Sequence, residues 1–430
     1  MAADEAGNVL SSATLKPSLN LNPMDVPHNE SSENVKIKAK RERILSACET
    51  KNLDLLIELA SEDGGFLSDD IRQKAWPILL GSDHVSTAAE TEAPWETLPP
   101  HRDEEQVRLD VHRSFIYYPS NETDKQLDAR RVDLEALIVS TLRRHPSLCY
   151  FQGYHDICQV FLLVNGLPSC YSLVRRLSML RIRDFMLPKL SASVSHLRLL
   201  PAILYAADRP IYAILPANPF YGLSHVLTLY AHDIHSYSDI ARLFDFLLAR
   251  EAVMSIYLFA VIIISKREML LEYMADEPDE NILAVVLQKL PQDIDIEGMI
   301  CQAIKLYEQF PPASLPFKTW KMVSDNSVLK TTIDRKALRD QTLQEGQVWF
   351  DNHAEEIRRE EFRAKVVMTL KNKLSKYRRP ALFTLSVAVC ALALWAGKNK
   401  SSPFGGLVNR MWDVSTLGKY IDFVGRYREL

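Results

Sequence analysis

The chain has 430 residues, with 51 Lys plus Arg against 55 Asp plus Glu, a formal charge of −4, and 47% apolar and 25% charged residues. That balance excludes both the basic excess of a nucleic-acid-binding domain and the apolar poverty of a disordered chain. Glycine supplies only 14 residues, about half of the usual ~7%, and neither G-x-x-x-x-G-K-S/T nor G-x-G-x-x-G occurs, so no phosphate-binding loop is recognisable. Six cysteines, Cys48, Cys149, Cys158, Cys170, Cys301 and Cys390, form no C-x-x-C pair and read as reduced and mostly buried.

Residues 1–34 are rich in Ser, Asn and Pro with no sustained period, and no basic-then-apolar leader is present, so they are expected to be disordered. Lys36 to Ala60 carries leucine and isoleucine at helical spacing with a break near Asn52. After the Asp63-Gly64-Gly65 turn, Ser68-Asp69-Asp70 offers capping chemistry for a helix from Ile71. Residues 83–104 read as an exposed loop. From Glu105 to Pro312 one helical segment follows another, among them Asp124–Arg144, Phe151–Val164, Ser193–Ala207, Leu223–His232, Ile240–Arg250 and Val253–Met274, punctuated by prolines and without an alternating strand. The fold class expected is all-α, with residues 35–312 as one large domain. Residues 313–379 read as a polar and basic spacer, helical or partly disordered.

Pro380 to Gly397 is a run of 18 uncharged residues. As a helix at 1.5 Å per residue it measures about 27 Å, the thickness of an endoplasmic-reticulum-type bilayer. Ala252 to Ile264 is as apolar but only 13 residues long, a length suited to a core helix. Only the C-terminal run is preceded by Lys371, Lys373, Lys376, Arg378 and Arg379 without an acid among them, and only it carries Trp395 near its far end. Residues 380–397 are therefore expected to span a membrane with the preceding domain in the cytosol, leaving a tail at 398–430.

Three segments stand out against the helical background: Arg72-x-x-x-Trp76-Pro77-x-Leu79-Leu80-Gly81, then Val107-x-x-Asp110-x-x-Arg113, then Tyr150-Phe151-Gln152-Gly153. In this order they resemble the R-x-x-x-W-x-x-L-L-G, I-x-x-D-x-x-R and Y-x-Q-G motifs of the TBC domain of Rab GTPase-activating proteins. Arg242-Leu243-Phe244-Asp245 is similar to that family's R-x-W-D, with Phe for Trp. The resemblance covers about residues 60–312, and together with the late apolar run it points to the reticulum-anchored branch of the family.

The resemblance implies roles. Arg113 matches the arginine finger, a planar and permanently charged fork suited to phosphate oxygens, and Gln152 the glutamine finger that aims the attacking water. Asp110, three residues before Arg113 on one helix face, can hold its guanidinium. Tyr150 belongs to the same motif, and Gly153 would let the backbone approach the partner. Arg72, Trp76, Arg242 and Asp245 are assigned to structure, with Trp76 in the core and Arg242 and Asp245 as an i,i+3 pair. The implied partner is a GTP-loaded Rab of the early secretory pathway, acted on in trans at the endoplasmic reticulum membrane. No cofactor is expected of this chain, because magnesium and GTP would come with the partner, and no nucleic-acid partner is expected.

Two other readings stay open on the residues alone. A non-catalytic scaffold could bind a Rab and present it at the membrane. An HD-type metal phosphohydrolase could use His155-Asp156 and His232-Asp233, with His225, His232 and His235 sharing one face of an expected helix; the expectation is nevertheless no metal site, since that reading leaves Arg113 and Gln152 unexplained.

Overall fold

The computed structural model describes residues 32–84, 93–275, 279–291 and 293–398. Most of the expected N-terminal tail and residues 399–430 of the C-terminal tail lie outside the described residues, as does 85–92 of the expected loop. Among the described residues there is no β-strand. The chain opens with α1 (Ser32–Glu49), α2 (Leu53–Ser61) and α3 (Asp69–Leu79), followed by α4 (Glu104–Val111), α5 (Asp124–Arg144), α6 (Tyr154–Asn165) and α7 (Leu167–Leu180). Short helices then alternate with turns: α8 (Ser191–Leu197), α9 (Leu199–Ala207), α10 (Arg209–Ile214) and α11 (Leu223–Leu227). The second half holds α12 (Tyr237–Ala249), α13 (Met254–Ser265), α14 (Arg267–Ala275), α15 (Glu280–Gln288) and α16 (Ile296–Gln309). Finally come α17 (Thr319–Met322), α18 (Val328–Thr331), α19 (Arg335–Asp340) and the long α20 (Leu343–Lys398).

Local chemistry explains many of the boundaries. Asn52, Asp208 and Asp295 each accept a hydrogen bond from a backbone N–H three residues on, at 2.9–3.1 Å, and so start α2, α10 and α16. Arg143 and Arg144 lie at the C-terminal end of α5, where cations favour the helix dipole. The 13-residue apolar run becomes α13, with ten of its twelve residues buried, which makes it a helix enclosed on all sides rather than a surface one. α16 packs along it.

A buried polar hub ties the N-terminal helices to α12. Asp245, fully buried, accepts hydrogen bonds from Arg72 Nε and Nη2 (both 3.1 Å), Trp76 Nε1 (2.8 Å) and the Phe66 N–H (3.0 Å). Burial pushes the Asp245 carboxyl up, and the Arg72 guanidinium and these hydrogen bonds pull it back. Trp76 packs against Phe161 and Phe244 at centroid separations of 5.2 and 6.2 Å, so Phe244 fills a packing position. The expected Arg242–Asp245 pair is not formed. Arg242 instead meets Glu297 at 2.6 and 2.7 Å and the carbonyls of Ala60 and Glu62, because both Asp245 oxygens are already taken from the α3 side.

Residues 313–379, read from the sequence as a spacer, divide in two. As far as Ile357 they pack on the core: Val328, Leu329 and Phe350 are buried, and Trp320, Trp349 and Ile357 lie against it. Arg183, itself fully buried, sits under the Trp349 ring at 5.1 Å, and Asp184 holds the ring nitrogens of His196 at 2.8 Å and His353 at 3.6 Å. Those histidines hold the Asp184 carboxyl well below the usual carboxylate range despite the penalty of burial. The expected span lies in the last part of α20, where the side chains of residues 380–385, 393, 396 and 397 fall outside the described residues. Among the described residues, no helix is long and apolar enough to cross a membrane.

Candidate functional site

α4 ends at Val111, and the turn that follows, closed by Arg113 N–H to the Asp110 carbonyl at 3.0 Å, carries Arg113 out to the surface. Asp110 is fully buried while the Arg113 side chain is 63% exposed, so a fixed carboxylate holds one arm of the guanidinium, Nη2, and leaves Nε and Nη1 without a partner among the described residues. Asp110 Oδ1 accepts from Arg113 Nη2 at 2.6 Å and from Gln106 Nε2 at 3.1 Å, and Oδ2 accepts from the Tyr150 hydroxyl at 2.9 Å. Three neutral or cationic donors thus satisfy a buried anion, the condition under which such a charge is tolerated. Burial and the Asp110 carboxylate together push the Tyr150 hydroxyl far up, so it stays a donor at every physiological pH.

The loop between α5 and α6 brings Tyr150, Gln152 and Gly153 to the same place. Its course is set from the residues just ahead of α4: Asp103 accepts the Tyr150 N–H at 2.9 Å, and Arg102 donates to the carbonyls of Pro146 and Leu148 at 3.0 and 3.2 Å. Gln152 is exposed, with no hydrogen bond among the described residues, and shares with Arg113 a cleft of about 810 Å³. Gly153 caps α6 with φ +100°, and a Cβ there would lie 2.5 Å from Thr228 Cγ2. Its close approach is therefore to this chain's own Thr228, which is a simpler need for glycine than the expected contact with a partner. Gly153→Ala should cost about 1–3 kcal/mol through strained backbone and overlap; a thermal-melt midpoint equal to wild type would contradict this.

The histidines take separate roles. His155 Nδ1 lies 3.0 Å from the Tyr150 hydroxyl and its Nε2 3.3 Å from Asp156 Oδ1, and Asp156 Oδ2 meets His232 Nδ1 at 2.9 Å. A chain of polar contacts thus runs from Arg113 through Asp110, Tyr150, His155 and Asp156 to His232 across the cleft floor. The expected shared helix face for His225, His232 and His235 does not exist, because α11 ends at Leu227 and Leu229 and Tyr230 turn the backbone at φ 49° and 67°. His225 is buried against Asp233 at 2.7 Å and the Gln288 carbonyl, while His235 stacks on Tyr117 at 3.5 Å. Among the described residues no three His, Cys, Asp or Glu side chains are grouped to hold a metal ion.

With this geometry described, the relatives can be set beside it. The Rab-GTPase-TBC domain family matches residues 69–271, which include every residue named above from Arg72 to Asp245. Mouse (Mus musculus) TBC1 domain family member 20 is 31% identical over 367 residues, 84% of this chain and 89% of that protein. GTPase-activating protein gyp10 of Schizosaccharomyces pombe is 30% identical over 301 residues, 69% of this chain and 80% of that one. The chain belongs to the TBC-domain Rab GTPase-activating protein family. The solved Ypt/Rab-GAP domain of Gyp1p aligns with TM-score 0.46 and 13% identity over 60% of this chain and 92% of that chain.

Within this TBC domain, sequence reading missed the residues that hold the site rather than form it. Gln159 Oε1 accepts the N–H of Phe115 at 2.9 Å, pinning a left-handed residue (φ 63°) just after Arg113. Gln106 and Asp103 serve similarly, and so do His155 and Asp156, which the sequence had offered only as metal ligands. The signal available for them was only their position one helical turn or less from a motif residue. Asp156 raises the pKa of His232 above its ordinary value, mainly through their hydrogen bond. Because the folded value exceeds the unfolded one of about 6.5, the pair stabilises fully below about pH 6.5 and loses its effect as pH rises through the raised value. His232→Asn should therefore lower the melting temperature more at pH 6 than at pH 8.5; an equal loss at both would rule out the charged pair.

Proposed function

We propose that this TBC domain accelerates GTP hydrolysis on a Rab of the early secretory pathway, with Arg113 and Gln152 as the two groups it inserts. The observation that carries the reading is their pairing: an exposed guanidinium fixed by a fully buried carboxylate, and an exposed carboxamide, on one cleft. In the reaction a water oxygen bonds to the γ-phosphorus, the bond to the β–γ bridging oxygen breaks, and GDP leaves with that electron pair. Charge accumulates on the bridging and γ-oxygens, where the Arg113 fork neutralises it. The Gln152 carbonyl accepts a hydrogen bond from the attacking water while its N–H donates to a γ-oxygen, which aims the nucleophile, and the water's protons leave with the inorganic phosphate and solvent. Magnesium and the nucleotide arrive with the partner, in keeping with a chain that has no phosphate loop of its own. The scaffold reading predicts binding without acceleration and gives no account of the Arg113–Asp110 tether.

The reading extends to the membrane. An uncharged run at 380–397 behind a basic cluster supports a single span, with the TBC domain on the cytosolic face of the endoplasmic reticulum. Val387, Val389, Leu392, Leu394 and Trp395 are exposed, as lipid-facing residues must be.

Gln152→Ala should reduce stimulated hydrolysis by roughly 10² to 10³-fold while leaving the fold intact. Since Gln152 supplies the carboxamide in trans, a Rab whose own catalytic glutamine is replaced by alanine should still be stimulated by the wild-type chain. Loss of stimulation on that Rab, together with full activity of Gln152→Ala, would overturn the role.

A further inference from the structure

Between the packed part of α20 and the run at 380–397, the side chains of residues 362–372 are exposed, with no packing partner among the described residues. Among the described residues, the last contacts of α20 with the core are Ile357 and the Lys189–Glu361 ion pair at 2.5 Å. Beyond them Phe362, Val366, Val367 and Leu370 are exposed, Phe362 by 69%. Phe362, Val366 and Leu370 recur every four residues and so share one side of the helix, with Val367 beside them, and the sequence continues the step to Leu374. Met368 falls on the other side. Over 362–379 the chain has seven basic residues, Arg363, Lys365, Lys371, Lys373, Lys376, Arg378 and Arg379, and no acid.

We propose that residues 362–379 form an amphipathic helix that lies on an anionic bilayer surface, a second membrane contact besides the span at 380–397, on which reading it rests. Three arguments choose the membrane as occupant. Seven cations without an acid complement anionic headgroups, each worth a severalfold gain in binding near the surface, whereas a second copy of this helix would set seven cations against seven. The segment is continuous with the span. If the helix instead stood upright on the bilayer, its 18 residues would raise Phe362 about 27 Å above the headgroups, about three Debye lengths away, leaving Phe362, Val366 and Leu370 in water and Arg363 and Lys365 out of reach of the headgroups. Pro380 removes one helical hydrogen bond at the junction, the place where the helix can turn from the membrane plane into the span. Because Glu361 holds Lys189, and Lys189 lines the cleft, the surface helix would set the height of the cleft above the membrane.

The test uses full-length protein in lipid nanodiscs, with Cys149, Cys301 and Cys390 changed to serine and an environment-sensitive fluorophore on Val366→Cys, Asn372→Cys or Val389→Cys. Lipid-borne quenchers should reach the label at 366 in discs with phosphatidylserine, roughly tenfold less in neutral discs, and spare the label at 372. Lys371→Glu with Lys373→Glu should abolish quenching at 366. If the label at 389 is quenched and that at 366 is not, the surface helix is overturned and the span stands. If 366 is quenched and 389 is not, the span fails and the surface contact stands. Equal quenching at 366 in neutral and anionic discs, or label-to-label contact between two copies, would also overturn the proposal.

Discussion

Arg113→Ala is expected to abolish nearly all stimulated GTP hydrolysis, a loss of roughly 10³ to 10⁵-fold or about 4–7 kcal/mol of barrier. The side chain is 63% exposed and, among the described residues, makes one hydrogen bond, to Asp110, so its removal leaves the apolar core untouched; the buried Asp110 carboxylate loses its cationic donor and keeps Gln106 and Tyr150, so some loss of melting temperature is expected while the fold persists. Arg113→Lys should recover little, because an ammonium is a point charge that cannot bridge two oxygens as a planar fork does. Asp110→Asn keeps the shape of the support but not its charge, and should lower the rate less than Arg113→Ala does. Single-turnover phosphate release, measured beside a thermal melt, separates these effects. An activity loss no larger than the fraction of unfolded variant accounts for would argue for a structural role instead.

The largest effect on stability is expected at Asp245, far from the cleft. Asp245→Ala leaves the Arg72 guanidinium, which is 8% exposed, with Asp69 at 2.8 Å as its one remaining carboxylate among the described residues, and leaves the Trp76 indole and the Phe66 N–H without their acceptor. Breaking one side of such a buried pair costs about 3–5 kcal/mol, enough to shift the chemical denaturation midpoint well below that of wild type. Asp245→Asn, which keeps an acceptor oxygen for Trp76, should lose less. A midpoint unchanged in Asp245→Ala would mean that the hub contributes nothing to the fold. The family motif is satisfied here by a contact across 173 residues, between the first of its segments and the last.

That separation marks the limit of what the sequence discloses. Periodicity pointed to an all-helical chain; the grouping of Asp110, Arg113, Tyr150 and Gln152 came from the resemblance of their motifs to those of the TBC family, since spacing within a motif is local and does not join motifs about 40 residues apart. The partner of Asp245 is not local. An i,i+3 rule offered Arg242, yet Arg72 and Trp76 reach Asp245 first from a helix far away in the chain. Likewise the three histidines fit one helical projection only until Leu229 and Tyr230 turn the backbone left-handed, and neither residue type signals such a turn. The packing of residues 328–357 was hidden for a different reason: Phe350, Trp349 and Ile357 are spaced among charged residues, so the segment reads as polar on average while one face is apolar.

The most direct test of the account is single-turnover γ-phosphate release from a panel of GTP-loaded Rabs, with and without the wild-type protein. The account predicts that at least one Rab of the early secretory pathway is accelerated by several orders of magnitude, and that the acceleration disappears with Arg113→Ala. Rates unchanged for every Rab, or an acceleration that survives Arg113→Ala, would contradict it.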